Sequence, residues 1–264
     1  MKTNSYLIAV TSEDLLKLKV KNINFLFPMT GYSVGFYHTF TFEEISVPHS
    51  YIFINRILDK ETISNLKRDL ANLPETIAGI CFTDLGILHI VKELNLSVQL
   101  IYMQNHNTTN RLSIEYYLEY VDSVLLSTDI TEEEMRLILD NVKKPLVVPY
   151  FMRADAMYSR RTLLTNYADH FGYPKKTMET LQEEITDQSF FAVENEYGTV
   201  LYADKFIDYR EFSHENILYY YINPLGLTNS EIEAILNGEE ILNTDTGFLH
   251  KETYYRLKEE EECL

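Results

Sequence analysis

Cysteine is scarce in this sequence: Cys81 and Cys263 are the two among 264 residues, too few for a disulfide framework or a multi-cysteine metal site within one chain. Basic residues are also few, 23 Lys and Arg against 40 Asp and Glu, and a net charge of -17 repels phosphate backbones, so no nucleic-acid partner is expected. Long apolar runs are missing. None approaches the ~18 to 20 residues of a membrane span, and the apolar stretch near Met1 is too short for a signal peptide. These absences predict a soluble protein of the reducing cytoplasm with no membrane partner. The Lys258–Glu262 run reads first as a solvated helix end.

Hydrophobic residues make up 45% of the chain, ample for a core. Short apolar, β-branched or aromatic runs recur at Tyr6–Val10, Ser33–Phe36, Tyr51–Asn55, Ile77–Phe82, Val98–Tyr102, Ser123–Ser127, Leu146–Pro149 and Leu218–Ile222, and predict eight strands. Amphipathic segments at Asp59–Ala71, Leu85–Leu94, Arg111–Tyr120 and Glu132–Asn141 predict helices between them. Thr41 with Glu44, Thr131 with Glu134 and Thr228 with Glu231 have capping-box spacing. From Tyr51 to Pro149 the alternation reads as βα units in a parallel sheet, so the expectation is one α/β domain over residues 1–264, a TIM-barrel-like (β/α)8 fold. Apolar stretches flanking Asn195-Glu-Tyr-Gly198 predict a β-hairpin insertion at about 190–203, before the last strand.

In such a barrel the polar loop face lies at the C-terminal ends of the strands. That places Asn55, Arg56, Thr83, Asp84, Gln104, Asn105, His106, Ser127, Asp129, Arg153, Asp155, Tyr158, Arg160 and Arg161 on one side. Paired guanidinium groups there would grip a small anionic ligand. Plainer roles stand beside this: Asp84 as a helix cap, Asn105 as an ordinary loop residue, Arg153 and Asp155 as a local ion pair. The seven histidines show no metal-ligand spacing, Cys81 sits in an apolar run, and Ser159 lacks a nucleophile-elbow setting.

Several segments together resemble the collagenase-like peptidase family U32. Ile77-Ala-Gly-Ile-Cys-Phe-Thr-Asp-Leu-Gly-Ile-Leu88 is similar to its strand, Asp-Leu-Gly turn and helix. Gln104, the loop before Leu112–Leu118, and Val124–Glu134 follow in order, and Tyr158-Ser-Arg-Arg-Thr-Leu-Leu-Thr-Asn-Tyr167 resembles the family's Tyr-Ser-Gly-Arg-Cys-Leu-Leu-Ser-Asn-Tyr. With Glu194–Lys205 resembling a later hairpin, the likeness spans about residues 50–205. It implies a TIM-barrel-like fold; members have been called peptidases, while relatives are hydroxylases with an iron–sulfur cluster on four cysteines. Here the first of those cysteines falls at Asp155, the second at Thr162, and no cysteine occurs between His170 and Gln188. Phe151-Met152 replaces the preceding His-Gly, and Val147 an acidic residue. Oxygen ligands do not substitute for soft thiolates around such a cluster, so no cofactor is expected.

The resemblance carries over a polar rim of Asn55, Asp84, Gln104, Tyr158, Ser159, Arg161 and Asn166, to which the local reading adds Arg153 and Asp155. The expected function is a diverged, cluster-free peptidase-like protein binding a small anionic molecule, a peptide or a partner protein at the loop face. Two alternatives stand: an active U32-type peptidase or other hydrolase, and an inactive accessory subunit of a cysteine-containing paralogue.

Overall fold

The structure, a computed structural model, describes residues 4–185 and 187–251; Cys263 and the Lys258–Glu262 run lie outside the described residues. Twelve strands form one mixed sheet: β1 (Tyr6–Ala9), β2 (Ile23–Pro28), β3 (Ser50–Ile54), β4 (Ile77–Phe82), β5 (Gln99–Tyr102), β6 (Ser123–Val124), β7 (Leu146–Ser159), β8 (Met178–Gln182), β9 (Ser189–Asn195), β10 (Gly198–Asp208), β11 (Ile217–Ile222) and β12 (Thr244–Asp245). Among the described residues six helices accompany them: α1 (Lys60–Leu70), α2 (Gly86–Glu93), α3 (Arg111–Leu118), α4 (Glu132–Asn141), α5 (Leu163–Phe171) and α6 (Asn229–Leu236).

The strands from β6 back through β5, β4, β3, β2 and β1 to β11 and β7 all pair in parallel. A parallel bridge between Leu125 and Val147, with the Leu126 N–H donated to the Val147 carbonyl at 2.9 Å, brings β6 against β7. The parallel series therefore returns on itself. Strands buried on both faces read as continuous apolar runs, and β3, Ser-Tyr-Ile-Phe-Ile, is buried at every residue. Helices form where the pattern asks for them. In α1, Thr62, Leu66 and Leu70 recur every four residues on the buried face, and Asp59 caps the start by accepting the Thr62 N–H at 2.8 Å. Capping boxes start α4 and α6 at Thr131 and Thr228, and a third, at Thr41, starts a short 3-10 turn.

Two expectations are corrected. Ser33–Phe36 is not a strand; β2 lies earlier, at Ile23–Pro28. The later segment forms a loop held by Asn55, whose Oδ1 accepts the Val34 N–H at 2.9 Å and whose Nδ2 donates to the Val34 carbonyl at 3.0 Å. Its apolar residues cover the end of the sheet instead of joining it. The connections after β1 and β2 hold only 3-10 turns, Glu13–Lys17 and Phe42–Glu44, so helices do not follow every strand.

β7 runs ten residues past Pro149, to Ser159. Its distal part pairs antiparallel with β10, and β9 and β8 follow outward, giving an antiparallel layer larger than the two-stranded insertion expected. This layer is pinned to α5 by one buried carboxylate. Glu194, 3% exposed on β9, accepts the Leu164 N–H at 2.7 Å, the Thr165 N–H at 3.0 Å and the Thr199 hydroxyl at 2.6 Å. It thus satisfies orphan amides at the α5 N-terminus and opposes the helix dipole there. Glu194→Gln replaces an anionic acceptor with a partly donating amide, and urea unfolding should show a loss of about 2 kcal/mol. An unchanged midpoint would show that the cap contributes nothing.

Candidate functional site

A cavity of about 290 Å³ opens at the C-terminal ends of the parallel strands. Asn55 follows β3, Thr83 follows β4, Gln104 and His106 follow β5, and Asn223 follows β11. The antiparallel layer supplies the remaining wall, with Asp155, Met157 and Tyr158 on β7 and Val200 and Tyr202 on β10. Phe36 and Phe53, in edge contact at 6.0 Å between ring centroids, line the apolar side with Tyr221.

Asp155 is the central ionisable group. Its side chain is accessible to water inside the cavity, yet protein surrounds it closely enough that desolvation raises its pKa from 3.8 to about 6. His106 pulls the value down and Asp129 pushes it up. These two form their own pair, His106 Nδ1 standing 3.2 Å from Asp129 Oδ2. Asn105 ties the loops that carry them: its Oδ1 accepts the Thr128 N–H at 2.9 Å and its Nδ2 donates to Thr128 Oγ1 at 3.1 Å. The phenol of Tyr158 is raised chiefly by burial, with Arg56 and Arg160 acting against it. Both arginines reach Asp59 Oδ2, at 3.7 and 3.6 Å, and Arg56 also stacks on Tyr197 at 4.3 Å.

Of the residues expected in the site, Asn55, Gln104, Asp155 and Tyr158 line the cavity. Asp84, Arg153, Ser159, Arg161 and Asn166 do not. Asp84 accepts the Gly86 N–H at 2.8 Å in the turn before α2, but Leu85 is the N-cap there and no side chain caps the helix, so the expected capping role of Asp84 is corrected to a turn contact. Ser159 Oγ accepts the Arg161 N–H at 3.1 Å, and the side chains of Arg161 and Asn166 are exposed outside the cavity. Arg153 is 8% exposed and lies between the rings of Phe191 and Phe206, at 4.5 and 4.1 Å. A register irregularity in β10 explains its divergence from Asp155: Tyr202 pairs with Asp155 but Phe206 with Arg153, and the intervening bulge brings Asp204 within 3.5 Å of the guanidinium. The expected local ion pair between Arg153 and Asp155 is therefore replaced by Arg153 with Asp204. The sequence reading overlooked Tyr202, Tyr221 and Asn223; only Asn223 carried a usable signal, a polar residue directly after a strand.

The positions that the resemblance gives to cluster cysteines do not fit a cluster. Asp155 offers oxygen in the cavity, Thr162 precedes α5, and Cys81, the one cysteine among the described residues, is buried in the core with its thiol pKa raised by desolvation. No group of three or more His, Cys, Asp and Glu among the described residues is arranged to hold a metal ion.

Arg153 Nε has no hydrogen-bond partner among the described residues, so this cation is held mostly by ring faces. Arg153→Met should change stability by less than about 1 kcal/mol, measured by urea unfolding, because an apolar side chain of similar length escapes the cost of burying charge. A loss several times larger would restore a structural or binding role for the guanidinium. Asp155 has the opposite pH signature to a salt-bridged carboxylate. Its folded pKa lies above the unfolded value, so its stabilising contribution is full below pH ~4 and is lost as pH rises through about 6. Asp155→Asn should therefore be more stable than the parent by about 1 kcal/mol at pH 8, allowing for screening by cavity water, with no gap near pH 4. Melting curves across that range would refute this if the gap grew toward acid.

The model of Peptidase family U32 matches residues 43–172, the stretch from just before β3 to the end of α5. The solved structure of the U32 peptidase Mk0906 superposes with a TM-score of 0.52 at 12% identity, covering 85% of this chain and 94% of that one. At that identity the likeness shows a shared fold. No curated protein matches the sequence. The family match and the order of segments within it identify residues 43–172 as those of a diverged member of peptidase family U32, with oxygen-bearing side chains where the resemblance places its first two cysteines.

Proposed function

We propose that this chain is a cluster-free U32 protein whose loop-face cavity binds a small molecule or a peptide. In this reading residues 1–264 form one domain, the returning parallel series is a closed (β/α)8 barrel whose first two helices have shrunk to 3-10 turns, and the antiparallel layer is an insertion before the last strand. The protein acts in the cytoplasm. The observation that carries the reading is the cavity itself, placed where loops of separate strands converge and lined by Gln104, Asp155, Tyr158 and Asn223.

The arginines that suggested an anionic ligand, Arg153 and Arg161, are outside that lining. A peptide or other polar molecule suits the wall better than a phosphate or carboxylate. The hydrolase reading lacks an activated nucleophile among the described residues: Cys81 is buried, and Ser159 serves the backbone of Arg161. Partner binding, including service to a cysteine-containing paralogue, draws on a different feature. Tyr167, Phe171 and Tyr173 are exposed and stack on one another at 4.7 to 6.0 Å around the end of α5.

Ala156 lines the cavity, so Ala156→Trp should fill it. Parent and variant, each purified from its native cell and denatured, should differ in the small molecules they release. Mass spectrometry is expected to find at least one compound enriched about tenfold in the parent, roughly the ratio a blocked site gives. Identical contents in two folded preparations would remove the binding role.

A further inference from the structure

The polar groups facing the cavity are mismatched in a way that specifies a ligand. Asn223 is 5% exposed and lines the wall, and its Oδ1 is buried with no hydrogen-bond partner among the described residues. An acceptor in that state costs free energy until a donor reaches it. Asp155 adds a carboxyl group that no ion pair or hydrogen bond engages among the described residues. Both groups are acceptors when Asp155 is ionised, and they stand on the same cavity wall.

The cations nearby are already committed. Arg153 lies between two phenylalanine rings beside Asp204, Arg56 donates to the Gly31 carbonyl at 2.7 Å and pairs with Asp59, Arg160 also pairs with Asp59, and His106 faces Asp129. The charged or titratable groups that bear on Asp155 are His106 after β5, Asp129 after β6, Tyr202 on β10 and Tyr221 on β11. Three of these four are carboxyl or phenol groups. Aromatic faces of Phe36, Phe53 and Tyr221 border the same space and would cover an apolar stem or a cationic head.

We infer that the loop-face cavity takes a protonated amine, with its ammonium group donating to the Asp155 carboxylate and the Asn223 carboxamide oxygen and its stem against the aromatic wall. This inference deepens the proposed binding role and rests on the cavity being that site. An ammonium group brings donors for these two acceptors and a positive charge for Asp155, whereas a carboxylate would meet Asp155 with like charge. The net charge of -17 favours approach of a cation over an anion as well.

The test uses three probes that share one stem: 2-phenylethylamine, 3-phenylpropionate and 3-phenylpropanamide, titrated into the full chain at pH 7.5 by NMR or calorimetry. The amine is expected to bind at least about tenfold more tightly than either of the others, as for a charge-assisted contact in a partly desolvated site. Asp155→Asn should lose about tenfold toward the amine while changing affinity for the amide by less than about twofold, and its melting curve certifies the fold. Asn223→Leu should weaken the amine through the second acceptor. Equal or tighter binding of the carboxylate or the amide would overturn the cationic assignment and leave the cavity reading standing. Absence of amine binding, or amine binding indifferent to Asp155→Asn, would overturn it too, and the comparison of parent with Ala156→Trp judges the cavity reading separately.

Discussion

β7 carries two partnerships along one strand, and the rest of the site follows from the change between them. Its first residues, Leu146–Phe151, are paired in parallel with β11 inside the sheet; from Phe151 to Ser159 the strand is paired antiparallel with β10 beyond it. Extended backbone outside the sheet needs a hydrogen-bonding partner, and β10 provides one. The distal half therefore stands over the strand ends with Asp155, Met157 and Tyr158 facing the cavity. The loop after β2 closes the other side so tightly that a Cβ on Gly35, at φ +80°, would come within 2.3 Å of Tyr202 Oη, which donates to the Gly35 carbonyl. Only a residue without a side chain lets that wall form.

How much of this was legible in the sequence depended on the range of the interactions involved. β4 and α4 have the bounds the pattern predicts, because a continuous apolar run and a capping box are local signals. β2 lies at Ile23–Pro28 and not at Ser33–Phe36, and what holds the later segment as a loop is Asn55, 21 residues from Val34, binding the Val34 backbone. The end of β7 was missed for a similar reason: Met152–Ser159 becomes a strand through pairing with β10, some 40 residues later. Site residues divide the same way. Gln104 and Asn55 are found by counting to the end of a strand, whereas the separation of Arg153 from Asp155 depends on a bulge in β10 that nothing in β7 announces.

The loss of the family cysteines has an electrostatic consequence beyond the loss of a cluster. A thiolate bound to iron has its negative charge matched by the metal. The carboxyl group that the resemblance places at the first of those positions, Asp155, is enclosed by protein and matched by no engaged cation. Desolvation consequently favours its neutral form, and the proton is held to about pH 6. The substitution did not make the position inert. Burial and Asp129 favour the neutral form of the carboxyl group there, and His106 opposes them.

A raised carboxyl pKa beside a His–Asp pair is the kind of perturbation found at catalytic sites, but general acid–base work needs a reacting group within hydrogen-bond reach and a nucleophile or bound water placed by the protein. Here His106 is engaged with Asp129, and Asn105 fixes the loops that carry both. Asp155 sits on the part of β7 paired with β10, and Asn223, just after β11, donates its backbone N–H to the Phe151 carbonyl at 3.1 Å, so strand pairing holds in place both elements that carry these acceptors to the cavity.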